Sequence, residues 1–568
     1  MKRAILFFIC CLFAQASFAA TGPANPDQLV QDYLQYLGQH QTLRAAGQAS
    51  ATMSRGLTPV LAYAKANWHR LSPATQQSVS PWFFRPTTPG ATPPKGVSFY
   101  APGQVISTYA TPHFVFHYLD QTQYPADVNR ASPSFVQAMA AEAEAVWNKE
   151  VTSMGYAAPP SDINAPDNGG DALYDIYLLD LGNAGLYGYV TTDAAGPVGA
   201  PYANSFYSHM VIDNDFSTTQ YGYPDPALPR QVTLAHEFFH SIHFGYDPTE
   251  LPAFMEMSAT WMEDMVYPTI KDNLQYIGEV YTDSNGNGRY DAGEAFTDRN
   301  GNGFRDSGSQ DFPELALDSF NAMPGEQYGR FLWIRYLSDS FGIAIVKDIW
   351  TQAALTAGEN TFAAMAGALQ VAGSNLSDAF IEYGAWCFDV SRFQNGADYP
   401  MAWGDQVFTG VISADSYSSP SLVNLSNLGY SPQLHLSTVY EIVMNPSGIY
   451  QFNSNGTSRI GVLYQTAANG AYTWKPLVVS SGYASWTAPA GIHKAVFVIA
   501  NTSQATDGMT WSLSGGTTAG GGGSGGGGGG CLIGINHWSP GASAGLWIML
   551  VTLTLLIWLH GTRGMPRP

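Results

Sequence analysis

The stretch QVTLAHEFFHSIHFGYD (231–247) carries His236, Glu237 and His240 in the spacing HExxH. Residues four apart lie on one face of a helix, so the two imidazoles can converge on one metal ion while Glu237 points toward a water beside it. Prolines precede the motif and apolar side chains recur at helical spacing, which predicts a helix here. The pattern predicts a catalytic zinc site with one open position. The alternative is a core helix in which the two histidines only pack.

The third zinc ligand is predicted to come from a second helix. The longer signature HExxHxxGxxH is excluded, because this chain has His and Tyr where that signature needs Gly and His. The segment AFMEMSATWMEDMVY (253–267) offers Glu256 and Glu263, which are seven residues apart and share one helical face. Glu256 is the preferred ligand and Glu263 the alternative, and Asp264 is a candidate partner for a histidine N–H group.

The residues upstream of the motif predict a small sheet. Strands are expected at 114–118, 176–179 and 206–212, and Ser132-Pro133 offers an N-cap and a first-turn proline for a helix. This arrangement indicates an α+β, zincin-like catalytic domain. The 206–212 strand is the candidate exposed edge, along which an extended peptide substrate can pair.

Downstream, the residues 317–350 have the pattern of amphipathic helices. Tyr328 begins this block and is a candidate donor of a hydrogen bond to the oxyanion that forms during peptide hydrolysis. An ordinary packed tyrosine is the favoured interpretation of this residue. The same two interpretations apply to His243, which lies three residues after His240.

A near-duplicate in YTDSNGNGRYDAGEAFTDRNGNGFRDSG (281–308) predicts tandem calcium loops of the EF-hand type. Position 12 of the second copy is Ser309 rather than Glu, so that copy is weaker or takes a ligand from elsewhere. Asn-rich loops predict structural Ca²⁺ ions with affinities of about 10⁻⁴ to 10⁻³ M. The alternative is a polar turn rich in Asn-Gly. The candidate calcium ligands are Asp283, Asn285, Asn287, the carbonyl of Arg289, Asp291, Glu294, Asp298, Asn300, Asn302, the carbonyl of Phe304 and Asp306.

Beyond the single motif, residues of about 30–400 resemble a family of secreted bacterial zinc metalloproteases best known from myxobacteria. More distantly, they are similar to the immune inhibitor A proteases. The resemblance is carried by HFVFHYLD, SPSFVQAMAAEAEAVWNKEV, GYAAPPSD, YDIYLLDLG, YGYV, MVIDNDF, HEFFHSIHFGYD and MEMSATWMEDMVYP. It implies a gluzincin-like (thermolysin-like) fold that hydrolyses peptide bonds, with His236, His240 and Glu256 on zinc and Glu237 as the general base.

Both ends of the chain predict export and anchoring. Residues 1–19 have the basic start, apolar core and small-residue site of a signal peptide. Only Cys387 and Cys531 then remain, so no disulfide framework is expected, and Cys387 reads as a small core residue. A glycine-rich linker at 516–530 leads into a C-terminal anchor at 531–568, either a processed sorting signal or a plain membrane-spanning segment.

Composition divides the rest of the chain. Residues 20–104 are predicted to be an N-terminal helical subdomain or a propeptide. Residues 105–404 form the predicted metalloprotease domain with the calcium-loop insertion at 282–309, and 405–515 form a β-sandwich accessory domain. The net charge is −20 with only 12% charged residues, so nucleic acid is not an expected partner.

The sequence therefore predicts an exported, surface-anchored zinc metalloendopeptidase, with Zn²⁺ and Ca²⁺ as cofactors and a protein or peptide as substrate. The alternative function is a surface adhesin or scaffold that binds calcium and carries an inactive zincin domain. Metal content and turnover discriminate between the two, because only the enzyme needs zinc and a working Glu237.

Overall fold

The computed structural model describes residues 25–45, 56–277, 282, 293–296, 315–320, 326–399, 423–426, 433–468 and 470–515. The predicted signal peptide, glycine linker and C-terminal anchor lie outside these residues. None of the helices among the described residues is long and apolar enough to cross a membrane.

The first layer of the fold is a six-stranded sheet in the order β1-β2-β4-β6-β5, with β3 paired to β2. Strands β2, β4 and β6 are mutually parallel, whereas β1 and β5 run antiparallel to their neighbours. The strands are β1 (Ser107–Ala110), β2 (Phe114–Asp120), β3 (Arg130–Ala131), β4 (Tyr174–Leu179), β5 (Gly188–Thr191) and β6 (His209–Asp213).

The predicted edge strand is wrong. The 206–212 run contributes β6, which pairs with β4 on one side and β5 on the other, so β6 is interior. The chain passes through β5 before β6 and places β5 antiparallel on the outer side, which makes β5 the edge nearest the motif helix. An apolar run identifies a buried strand but carries no information about which neighbours cover its two sides.

Helices cover both faces of this sheet. They are α1 (Pro26–Ala45), α2 (Leu57–Ala66), α3 (Pro73–Val79), α4 (Pro133–Trp147), α5 (Thr218–Tyr221), α6 (Ala227–Tyr246), α7 (Pro252–Val266), α8 (Glu326–Gly329), α9 (Phe331–Phe341), α10 (Ala344–Ala354), α11 (Thr361–Val371) and α12 (Leu376–Phe388). The predicted start of α4 is present, because Ser132 accepts a hydrogen bond from the Phe135 N–H at 3.1 Å and Pro133 occupies the first turn.

Successive side chains of each strand point to the two helical layers in turn, as in any strand. In β4, Ile176 and Leu178 pack toward α4 and α6, whereas Tyr177 and Leu179 pack toward the N-terminal helices α1 to α3. In β6, Val211 likewise faces the N-terminal helices. The sheet is thus the middle layer of three, and its strands β2, β4, β5 and β6 are buried, whereas β1 is largely exposed.

Two antiparallel four-stranded sheets form the C-terminal part, in the orders β11-β10-β13-β8 and β12-β9-β14-β7. Side chains from both sheets, such as Phe497 and Trp486, share one buried cluster, so the two sheets pack face to face. The strands are β7 (Val423–Ser426), β8 (Ser437–Met444), β9 (Ile449–Ser454), β10 (Ser458–Gln465), β11 (Thr473–Pro476), β12 (Tyr483–Thr487), β13 (Lys494–Asn501) and β14 (Trp511–Gly515).

This sandwich packs closely on the helical part. Tyr440 donates a hydrogen bond to the Gly384 carbonyl at 2.7 Å. A Cβ at Gly384 would lie 2.9 Å from the Thr438 side chain, so the glycine permits the close approach of α12 and β8. Cys387 on the same helix is buried, as predicted. The described part of the chain is therefore an α+β protein with several sheets, and one buried cluster runs from the helical part into the sandwich.

His435 lies between Asp507 of the sandwich and Asp318 of the segment 315–320. Its Nδ1 lies 2.7 Å from Asp507 and its Nε2 lies 2.8 Å from Asp318. Burial by itself would lower the pKa of His435, but the two hydrogen-bonded carboxylates raise it to about 9. The histidine is therefore held as a cation between two acids at neutral pH.

We expect replacement His435→Gln to lower the thermal unfolding midpoint most below pH 6.5, where the wild-type contribution is fully present. A pKa that is higher in the folded than in the unfolded state favours folding at low pH, and the advantage disappears as pH rises through about 9. Differential scanning calorimetry of both proteins across this range measures the difference. A difference between the two midpoints that does not change with pH would contradict the assignment.

Candidate metal centre

Two packed helices bring the predicted ligands together. His236 and His240 lie on α6 and Glu256 lies on α7, and all three side chains are fully buried. The His236 Nε2 is 3.1 Å from the His240 Nε2 and 3.1 Å from the Glu256 Oε2, and the His240 Nε2 is 3.8 Å from the same oxygen. Among the described residues, no other group of three His, Cys, Asp or Glu side chains comes this close.

The donor set fits a tetrahedral zinc ion. Nitrogen and oxygen ligands at tetrahedral corners about 2.0–2.1 Å from zinc lie about 3.3 Å from one another. The three separations of 3.1, 3.1 and 3.8 Å bracket this value. Two imidazoles and one carboxylate also match the ligand types of catalytic zinc sites, which leave the fourth position open.

Glu263 lies behind His236. Its Oε1 is 2.8 Å from the His236 Nδ1, while the Nε2 of the same ring points toward His240 and Glu256. A ring that offers its Nε2 lone pair to a metal carries its proton on Nδ1, so His236 donates this hydrogen bond to Glu263. Of the two predicted carboxylates, Glu256 therefore lies with the Nε2 atoms and Glu263 orients a ligand. Asp264 instead pairs with Arg335 at 2.9 Å.

His240 is supported by a relay through His243. The Nδ1 atoms of the two rings are 3.1 Å apart, and the His243 Nε2 lies 3.3 Å from the Ser258 Oγ. If the His240 Nε2 faces a metal, its Nδ1–H donates to His243, and the proton of His243 then sits on Nε2 and is donated to Ser258. The Ser258 hydroxyl donates to the Phe254 carbonyl at 2.8 Å. Each proton in the relay has one assigned acceptor.

Burial fixes the charge state of this relay. It holds the pKa of His240 well below its usual range, and the neighbouring His236 lowers it further. Burial also lowers the pKa of His243 strongly, with a second contribution from His240. Neutral imidazole is the form that binds metals, so both rings are in the required state at neutral pH.

The Glu237 side chain extends from the motif helix toward the edge strand β5. Its side chain is fully buried, and a Cβ at Gly188 in β5 would lie 3.2 Å from the Glu237 Cγ. The glycine allows the strand to pass close to the carboxylate. Thr58, at the start of α2, donates a hydrogen bond from its hydroxyl to the Glu237 Oε2 at 2.9 Å.

Tyr328 also lies at this site. It is buried, and its ring centroid is 6.3 Å from that of His236. A Cβ at Gly56 would lie 2.8 Å from the Tyr328 hydroxyl and 3.6 Å from the Glu256 Oε1, so the hydroxyl and this carboxylate face the same small space. The hydroxyl is therefore close to the Glu256 carboxylate.

Most of the predicted calcium ligands lie outside the described residues. Glu294 is the exception, and it is partly exposed in the short stretch 293–296. Phe296 in the same stretch is also described, and Thr282 donates a backbone hydrogen bond to the Ala295 carbonyl at 2.7 Å. The tandem calcium loops stay a prediction from the sequence.

Comparison with known proteins adds no family assignment. The chain matches no model of a known protein family and no curated protein.

One feature of the site has no signal in the sequence, and a second has only a weak one. Thr58 is 179 residues away from Glu237 along the chain, and a Leu-Thr-Pro tripeptide has no metal-site pattern. The sequence marks His243 only as a candidate, and its contact with the Nδ1 atom of His240 is seen in the structure. A histidine three residues after a ligand lies on the same helical face, and this is the only hint available.

We expect the replacements Glu263→Ala and His243→Ala to weaken zinc affinity by about 10- to 100-fold, because each removes the group that orients a ligand imidazole. Ser258→Ala, one step farther out, should have a smaller effect. Competition with a coloured chelator measures all three affinities without any assay of activity. Equal zinc affinity in wild type and Glu263→Ala would contradict the assigned role of Glu263.

Proposed function

We propose that this protein is an exported zinc-dependent metalloendopeptidase with a zincin-like catalytic domain and a β-sandwich accessory domain. The observation that supports the proposal is the convergence of His236, His240 and Glu256 in a dry interface, with Glu237 on the adjacent helical position. Burying such groups is costly unless they are paired or hold a metal. A zinc ion provides that compensation.

Zinc, when bound, polarises the scissile carbonyl and lowers the pKa of a water. The protein's own residues handle the protons and the position of the substrate. Glu237 takes a proton from the attacking water and passes it to the leaving amine nitrogen. The Tyr328 hydroxyl, which faces the same space as Glu256, donates a hydrogen bond to the developing oxyanion.

The outer edge of β5 is the proposed binding surface for an extended peptide. β5 pairs with β6 on one side only, and Gly188 brings the strand close to Glu237. The backbone N–H of Val190 points away from β6, because its bond is made to the Thr58 hydroxyl at 2.8 Å. A substrate strand that pairs with this edge runs past the catalytic carboxylate.

The calcium-binding scaffold is the weaker of the two functions. A scaffold with an inactive zincin domain does not need His236 oriented by Glu263 or His240 oriented by His243, yet both pairs are buried and hydrogen-bonded. Calcium bound at 282–309 is proposed as a structural element of the enzyme. Export and anchoring through 1–19 and 531–568 remain part of the proposal.

We expect Glu237→Gln to reduce the hydrolysis of casein or a quenched fluorescent peptide by about 10²- to 10⁴-fold, because an amide cannot accept the water's proton. The zinc content should remain one ion per chain, since Glu237 is not a ligand in this proposal. Assays of turnover and metal content on the same preparations make the comparison.

The matched control is His240→Ala, which should lose both zinc and turnover. A folded wild type that binds no zinc, or a Glu237→Gln variant with undiminished turnover, would contradict the proposed function. Calcium binding without zinc in the wild type would favour the scaffold instead.

A further inference from the structure

The N-terminal helical layer reaches into the catalytic cleft at Thr58. Its hydroxyl makes two hydrogen bonds: it donates to the Glu237 Oε2 at 2.9 Å and accepts from the Val190 N–H at 2.8 Å. A hydroxyl has one proton to donate, so the donor capacity of Thr58 is fully used by Glu237. Thr58 is itself fully buried.

Thr58 thus contacts two groups that the proposed reaction requires to be available. Glu237 must accept a proton from water, and the outer edge of β5 must be open to a peptide. With Thr58 in place, one carboxylate oxygen already holds a hydrogen bond, and the Val190 N–H has no room for a substrate carbonyl. The same hydroxyl therefore occupies one oxygen of the base and the one N–H of the binding edge that faces it.

Gly56 lies against the site beside Tyr328 and Glu256. Its Cα lies so near that an added Cβ would be 2.8 Å from the Tyr328 hydroxyl and 3.6 Å from the Glu256 Oε1. The backbone at Gly56 thus fills the space between the proposed oxyanion donor and the proposed ligand. In agreement, the side chains of His236, Glu237 and His240 are all fully buried.

The layer behind this turn is firmly attached to the catalytic part. Val60 and Leu61, just after the turn, pack against the sheet residues Tyr189 and Val211 in one dry cluster. Farther along, the fully buried Arg85 forms ion pairs with three carboxylates of the catalytic part, Asp162, Asp175 and Asp193. Removal of the whole layer would expose one apolar face of the sheet.

Resting on the function proposed above, we infer that this chain folds as a latent peptidase whose cleft is closed by its own residues Gly56 to Thr58. Activity requires this leading turn of α2 to leave Glu237 and β5. The rest of the layer, from Val60 through Arg85, stays in place as part of the fold. Of the two predictions for residues 20–104, this corresponds to the helical subdomain, which here also acts as an inhibitor.

The test compares full-length wild type with Thr58→Val, which keeps the shape of the side chain and removes the hydroxyl. Thr58→Ala is a second variant without the hydroxyl, and Thr58→Ser retains it. Thr75→Val is the matched control, because Thr75 is a buried threonine of the same layer and accepts a hydrogen bond from Gln31 instead of contacting the site. Hydrolysis of a quenched fluorescent peptide and hydrogen exchange of segments 57–61 and 188–191 are measured for each protein.

We expect Thr58→Val and Thr58→Ala to raise both peptide turnover and exchange in the two segments by about 10-fold or more, as loss of hydrogen bonds to a charged group predicts. Thr58→Ser and Thr75→Val should match wild type. Faster exchange with unchanged turnover would overturn the inhibitory role and leave Thr58 a structural residue. An equal response in Thr75→Val would also overturn it.

The same data separate this inference from the function on which it rests. If every protein cleaves the peptide at the wild-type rate and exchange is unchanged, the peptidase stands and the latent form is wrong. If exchange rises in Thr58→Val and none of the proteins cleaves any peptide, Thr58 does close the cleft and the peptidase assignment fails.

Discussion

The structure depends on how six ionisable or polar side chains, buried between α6 and α7, orient one another by hydrogen bonds. An imidazole in a dry interface is stable when one nitrogen donates to a fixed acceptor and the other faces a metal or a second donor. Glu263 provides the acceptor for His236, and His243 with Ser258 provides it for His240. Both rings are thereby fixed in the orientation that directs their Nε2 atoms to Glu256.

The sheet connects this centre to the rest of the molecule. β5 touches both the motif helix and the N-terminal helices, and it is also an edge of the sheet. Gly188 is the local requirement for this arrangement, because any side chain there would press on Glu237, the Val211 carbonyl and Thr233. The position of β5 therefore limits the space around the Glu237 carboxylate.

The choice between Glu256 and Glu263 illustrates what helical periodicity can and cannot predict. Seven residues are two turns, so the two carboxylates share a face but lie about 10 Å apart along the axis. Both can reach α6, and only the position and crossing of the two helices determine which one meets the Nε2 atoms. In the structure Glu256 meets the Nε2 atom of His236, and Glu263 meets the Nδ1 atom of the same ring.

The sequence by itself determined the local elements: the motif helix, the second helix with its two carboxylates, the capped helix after Ser132 and the alternating strands of the sandwich. Each of these follows from a short-range period or from a capping residue, which are properties of neighbours along the chain. Only the tertiary structure decided that β5 and not β6 is the edge, that His243 supports His240, and that Thr58 lies on Glu237. These are contacts between residues that are distant in sequence or depend on helix packing, and no local pattern specifies them, because they arise from the way that whole layers bury their apolar faces.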